Sequence, residues 1–346
     1  MSVKNKILFA LAAVLVSAPA LAEPRQIQVG QEAYTHAATG FVAPPDLLDY
    51  ARIRVVDFGA NEINLLVRYW SEATKTDVSV YIYSMGVADA SIETDRAMQA
   101  ILAHDRYSGV DEDHRLITRF GTEAIGPESG FRISLPTPES RSTATGVAVF
   151  TADEWVIKTR MTSEKLSAEE LDQVLAKFVA EISVNDPKRR APMAQLIETC
   201  QVDADRKPAK RSKSDATQWL MVTTLWKTYL DATDEDEGPA KREWCRDTNI
   251  SPPLFGYKNK LSDETVIVFG DSGFTGQALR IKTAELLGGG RKFWPMLSNG
   301  QITYFFDPFR SLPDPGQLAS AVKSEKPKAS YARDPEGNSN VSIPGS

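Results

Sequence analysis

WVIKTRMTSEKLSAEELDQVLAKFVAEI, residues 155–182, holds a strand and a helix back to back. In its first part Trp155, Ile157 and Met161 point one way and Lys158 and Arg160 the other. That alternation is the period of a strand with one wet face. The period then changes. Ser167 and Glu170 form an S-x-x-E capping box, with Leu166 set against Leu171 as a hydrophobic staple. Leu171, Val174, Leu175, Phe178, Val179 and Ile182 follow at i, i+3, i+4, i+7, i+8 and i+11, one apolar stripe. Glu169, Asp172, Gln173, Lys177 and Glu181 fall outside it, as on an amphipathic helix. A strand and a helix of this kind bury their apolar faces against each other.

Upstream, extended segments are expected at Arg25–Val29 and at Gly40–Pro45, where two prolines keep the preceding residues out of the helical region. Three strands follow, marked by Ile53, Val55 and Phe58, by Leu65, Val67 and Tyr69, and by Val78, Val80 and Ile82. The polar stretch Ser71–Thr76 is the length of a hairpin turn. Asp89–Asp105 reads as a helix capped by Asp89 or Ser91, with Thr94, Met98, Ile101 and Leu102 as its stripe. Leu116–Phe120, Phe131–Leu135 and Gly146–Thr151 are short strand candidates. Strands in runs between two helices predict an α+β layer: an antiparallel or mixed sheet with both amphipathic helices on one face.

This order is similar to that of the PsbP-like family. The likeness covers residues 25–184 and is carried by Phe41-x-x-Pro44, by Val78-x-Val80-x-Ile82-Tyr83 and by Trp155–Ile182. It implies a non-enzymatic binding or assembly domain, with no shared catalytic residues to carry over.

Residues 1–22 read as an export signal. Lys4 and Lys6 precede an apolar run, Ile7–Val16, and Ala20-Leu21-Ala22 forms a cleavage site before Glu23. The run is about ten residues, against the about 20 needed to span a bilayer. No cysteine stands directly after the site, which argues against a lipid anchor there. The expected location is a bacterial periplasm or the medium. Loss of Lys4 and Lys6 takes the formal charge from −6 to 38 − 46 = −8. Nucleic-acid affinity rests on phosphate contacts, so an acidic exported chain is a poor nucleic-acid partner. The two cysteines, Cys200 and Cys245, predict one disulfide. Their spacing does not suit a C-x-x-C redox pair.

The 346 residues suggest two domains. The polar, proline-bearing stretch 183–192 marks the boundary, giving an α+β unit over 23–184, a linker at 185–192 and a mostly-β unit over 193–322. In that second unit Gln218–Thr224 alternates as a strand, between a basic run (206–213) and an acidic run (231–237) read as solvated loops. Val266–Phe269 and Gln301–Phe306 are further strands. Asp314-Pro315 opens a short helix with Leu318 and Val322. Residues 323–346, rich in Lys, Ser, Pro and Gly, are expected to be a disordered tail.

One stretch invites a catalytic reading. Val266–Gly273 resembles the strand–Gly-Asp-Ser entry of GDSL-type esterases, which implies Ser272 as nucleophile. That family needs a histidine downstream, and none follows His114. Gly270-Asp271-Ser272-Gly273 also resembles the Gly-Asp-Ser-Gly of chymotrypsin-like proteases, with His104 or His114 upstream as base. Phe274 stands where that family has glycine, and His104 lies near the end of a predicted helix. Asp-Ser-Gly is equally turn chemistry. Gln277–Lys282 then returns as a hairpin strand, a reading favoured over a helix ending at Gly288.

Other clusters are weaker. Asp111–His114 lacks the glycine and spacing of a calcium loop, and His36, His104 and His114 show no zinc spacing. Gly288–Arg291 lacks a P-loop lysine. Phe293-Trp294 and Tyr304-Phe305-Phe306 read as core. The proline-stiffened Asp307–Pro313 is expected to display Phe309 and Arg310 to a partner. The sequence thus predicts a non-catalytic envelope factor binding a protein or small ligand, with no cofactor and no metal. A serine hydrolase built on Ser272 and His104 is the alternative.

Overall fold

The computed structural model describes residues 24–107, 109–201, 207–231, 242–270, 273–281, 285, 290–333 and 339–343. Strands dominate, in three sheets, with four α-helices among the described residues: a mixed α+β protein, mostly β.

The first sheet is built from β1 (Arg25–Ile27), β4 (Asp46–Leu47), β5 (Tyr50–Asp57), β6 (Asn64–Ser71), β7 (Thr76–Ser84), β8 (Leu116–Phe120), β9 (Gly130–Pro136), β10 (Ala144–Ala152) and β11 (Trp155–Ser163). Strands β2 (Tyr34–Thr35) and β3 (Val42–Ala43) form a separate ribbon. The order across the sheet is β1-β5-β6-β7-β11-β10-β9-β8, with β4 also beside β5, and every pairing is antiparallel. Helix α1 (Ala90–Leu102) precedes β8, and α2 (Ala168–Ala180) follows β11.

Both helices pack on this sheet, but on opposite faces, not on one. The reason lies in β10. Its successive β-carbons alternate, so Ala148 and Phe150 join the α2 layer while Val147 and Val149 join the α1 layer. Under α2, Leu65, Val67, Val78, Val80, Ile82, Ile157 and Met161 meet Leu171, Leu175 and Phe178. Tyr50 and Tyr69 stand edge-on to Phe178 at 5.6 and 5.7 Å. The capping box holds as the sequence predicts: Ser167 Oγ accepts from Glu170 N, and the Glu170 carboxylate accepts from Ser167 N.

The second sheet contains β12 (Glu198–Thr199), β13 (Trp244–Asp247), β14 (Leu254–Asn259), β15 (Glu264–Phe269), β16 (Thr275–Arg280), β17 (Phe293–Ser298), β18 (Ile302–Phe305), β19 (Ala329–Arg333) and β20 (Ser339–Ser342), in sequence order. Among the described residues only β12 and β13 pair in parallel, and the disulfide from Cys200, next after β12, to Cys245 of β13 ties them. Helix α3 (Ala216–Asp231) covers one face at β17–β19, and α4 (Pro315–Ser324) covers the other.

Two expectations fail here. Gln218–Thr224 is helix, not strand. Its alternation is an accident of a short window; extended to Trp226, the buried residues Trp219, Val222 and Trp226 recur at i, i+3 and i+7, a helical face. The tail is not disordered throughout either. Strands β19 and β20 close the sheet, because Ala329 and Tyr331 bury against Phe305 and Trp226 despite their polar neighbours.

The two sheets meet across α1. Ile92, Ala97, Met98 and Ile101 share one core with Phe131, Ile133, Val147 and Val149 of the first sheet and with Phe255, Tyr257, Val266 and Val268 of the second. With sheets on both sides, α1 buries its charges too. Glu93 accepts from Arg96 Nε at 3.0 Å, and Arg96 donates to the Tyr83 hydroxyl at 3.1 Å. Asp95 pairs with Arg246 and accepts from Tyr257 at 3.0 Å. Asp89 caps α1 with one oxygen, accepting from Ser91 N at 2.9 Å. Its other oxygen accepts from Trp244 Nε1 at 2.8 Å and faces Arg242 at 3.3 Å. The stretch after α2 is also tied to the first sheet: Lys188 N and Arg189 N donate to Asp153, Ala191 N to the Ile125 carbonyl and Ala194 N to the Glu128 carbonyl.

Candidate binding crevice

Among the described residues, the three histidines singled out for chemistry make separate contacts. Asp271 and Ser272 lie outside the described residues. Their flanks form a hairpin: Phe269 N donates to the Phe274 carbonyl at 3.2 Å, Val268 pairs with Thr275, and Gly270 and Gly273 both have positive φ. Thr275 sits near the start of α1, its Oγ1 accepting from Val87 N at 3.2 Å. His104 lies past the other end of α1, 13 residues or roughly 20 Å along the axis. It is exposed, with Nδ1 accepting from Arg106 N at 3.1 Å. His114 pairs with Asp111 at 2.6 Å on the surface. His36 is buried, bonded to Thr39 Oγ1 at 2.8 Å and the Glu62 carbonyl at 3.1 Å, and burial lowers its pKa. It ties down the N-terminal ribbon.

Phe309 is not displayed as expected. It is 2% exposed, its backbone exchanges two 2.9 Å bonds with Phe293, and the Arg211 guanidinium lies 4.2 Å over its ring. A phenylalanine beside a sheet finds the core before it finds a partner. Arg310 is exposed, its N–H bonded to the Lys210 carbonyl.

A cavity with a mostly apolar lining lies elsewhere, where the α2 layer runs out. It is a crevice of about 370 Å³, at the small end of ligand sites. Its floor is the sheet: Phe120 at the end of β8 and Phe150 of β10, edge-on at 6.1 Å. Between them on the same face is Gly130, where a β-carbon would come 3.0 Å from the Phe120 ring. The missing side chain lets the Phe120 ring lie over Gly130, beside the Val149 carbonyl, which a β-carbon would approach to 2.7 Å. One wall is the last turn of α2, with Ala176, Val179 and Ala180; the other is the loop after β8, with Ile125. Ile182 and Val184 continue the apolar lining past the helix.

Polar groups stand at the edges. Arg132 is held by two bonds to Asp172, at 2.7 and 3.0 Å, a neutral pair at one end. Thr122, Ser183, Asn185 and Asp186 form the rim, with Asp186 exposed. Among the described residues, no hydrogen-bonded nucleophile–base pair lines the crevice. What the arrangement can do is take an apolar group out of water and leave a polar or cationic end at the mouth.

Sequence reasoning named Phe120, Phe150, Val179 and Ile182 only as elements of strands or helix. The signal that points to the crevice is the stripe itself, which reaches Ile182 although α2 ends at Ala180. The chain matches no protein-family model and no curated protein.

Proposed function

We propose that the protein is a non-catalytic, exported binding factor of the cell envelope that holds an apolar group in the crevice beside α2. The observation that carries this reading is the crevice floored by Phe120 and Phe150 and walled by Ile125, Val179 and Ile182, apolar in its depth and open at a polar rim. Export to the periplasm is supported by the leader pattern at 1–22 and by the Cys200–Cys245 disulfide, a bond suited to an oxidising compartment. No helix among the described residues is long and apolar enough to cross a membrane. The resemblance of residues 25–184 to the PsbP-like family favours a binding or assembly role over an enzymatic one.

The test is a titration with N-phenyl-1-naphthylamine, an apolar dye that brightens out of water. One saturable site per chain is expected, lost in Ala180→Phe, which fills the mouth from an exposed position. Saturable binding that Ala180→Phe leaves intact, in a variant with unchanged circular dichroism, sinks the assignment. The serine-hydrolase alternative has its own test. A fluorophosphonate probe is expected to leave the protein unlabelled, and stoichiometric labelling lost in Ser272→Ala would reverse the choice.

A further inference from the structure

β8 is the last strand on its side of the first sheet, bonded to β9 alone. Among the described residues no backbone bond reaches the outer side of Leu116–Phe120. Each of its five residues is partly or fully exposed, whereas β9 next to it is mostly buried. An open row of N–H and C=O groups is a template for another strand, and proteins usually blunt it. Here the usual devices are missing: β8 has no proline and its pairing shows no bulge. Its one charge, Arg119, is drawn off to the Ala194 carbonyl at 2.9 Å and over the Phe131 ring.

The two ends of this edge differ in chemistry. At Phe120 the edge runs into the apolar crevice, on the α2 face. At the other end Glu112, Asp113, Arg115 and Ile117 line a shallow depression. Arg115 is matched by Glu112 at 3.6 Å, and Asp113 has no ion pair among the described residues. That end is therefore acidic. Ile117 faces the α1 layer, the opposite face from Phe120.

We propose that β8 and the crevice together receive an extended peptide, added as one more antiparallel strand, with an apolar residue in the crevice and a basic residue over Asp113. The proposal rests on the crevice being a binding site. The pleat fixes the spacing. A strand antiparallel to β8 that places its apolar residue opposite Phe120 reaches Arg115 five residues later, roughly 17 Å on. Residues i and i+5 point to opposite faces, as the crevice and the depression do. Main-chain bonds along the edge supply affinity, and the two end pockets supply sequence preference. The partner is thus a segment of pattern apolar-x-x-x-x-Lys/Arg in extended form.

The experiment uses fluorescein-labelled Thr-Leu-Ser-Val-Ser-Thr-Lys-Thr, titrated with the full chain and followed by anisotropy. Saturable one-to-one binding is expected, with displacement of N-phenyl-1-naphthylamine. Affinity is expected to fall at least tenfold with serine in place of the leucine, with glutamate in place of the lysine, with alternate peptide nitrogens methylated, and in Asp113→Lys, an exposed change that spares the fold. Dye binding without peptide binding overturns this proposal and leaves the crevice standing; binding of neither overturns both. Peptide binding indifferent to N-methylation in either register overturns the edge pairing. A chain that dimerises by light scattering and ignores the peptide shows the edge is filled by a second copy, which also overturns it.

Discussion

α1 and α2 are each 13 residues long and pack on opposite faces of the same sheet, yet they are different kinds of helix. α2 has one wet side. Its apolar residues gather into a stripe, its charges stay outside, and a capping box marks its start. α1 has a sheet on either side and no wet face to speak of. Glu93 and Arg96 are 0% and 2% exposed, and Asp95 and Asp89 reach across to the second sheet. The pair teaches that charge in a helix marks exposure only when the helix has one neighbour. With two, the same residues become the ties between layers.

The largest effect is expected from removing one tie of α1. Arg96→Ala leaves the Glu93 carboxylate buried without its guanidinium, and such a change costs about 3–5 kcal/mol. Urea unfolding measures it. Replacing Glu93 and Arg96 together by Leu and Met is expected to recover most of that loss, because no lone charge remains. If Arg96→Ala costs under about 1 kcal/mol, α1 is not locked in the way described.

The counterpart in α2 is a cavity. Leu175 is fully buried beneath the helix, so Leu175→Ala is expected to cost about 3 kcal/mol. Lys177→Ala, on the wet side, should stay within about 0.5 kcal/mol. That contrast has no equivalent in α1, where no position is fully exposed.

Legibility in the sequence follows the same division. The first-sheet strands Leu65–Tyr69, Val78–Ile82 and Trp155–Met161 alternate cleanly on the α2 face, where one side packs. Their periods are readable without the fold. That α1 lies on the far face is not readable, because it depends on which β-carbons of β10 face which way, and β10 is buried on both faces. The second sheet was only partly legible: Val266–Phe269 and the Asp314 cap stand out, while α3 hides two tryptophans in what looks like alternation. The crevice is assembled from β8, β9, β10, α2 and two loops, and a site drawn from elements so far apart in sequence leaves little trace in a linear chain.

The helix starts offer a smaller test. Ser167 satisfies α2 from an exposed position, so Ser167→Ala should cost about 1 kcal/mol, read from the same urea curves. Asp89 caps α1 and also accepts from Trp244, so Asp89→Ala should cost more than Ser167→Ala by at least the price of a lost buried hydrogen bond, roughly 1 kcal/mol. Equal costs would mean that the tie to the second sheet contributes nothing.

The smallest effect is one of sign. Burial raises the Asp95 carboxyl above its ordinary 3.8, against the pull of Arg246 and Tyr257; burial also holds the Tyr257 phenol well above its usual value, so it remains a donor. A raised carboxyl in the folded state adds stability below the ordinary value and loses it as pH climbs through the raised one. In α2, Glu169 is shifted the other way, lowered by its own backbone N–H and then by the Ser167 hydroxyl at the helix start. Its contribution is present above the ordinary glutamate value and fades as pH falls. From pH 3 to 7, wild type should therefore lose stability relative to Asp95→Asn and gain it relative to Glu169→Gln, whatever constant offset each substitution brings. Urea midpoints measured at intervals across that range give the two slopes. Slopes of the same sign would mean that α1 and α2 meet water alike, and the contrast between a helix with one neighbour and a helix with two would fail at its root.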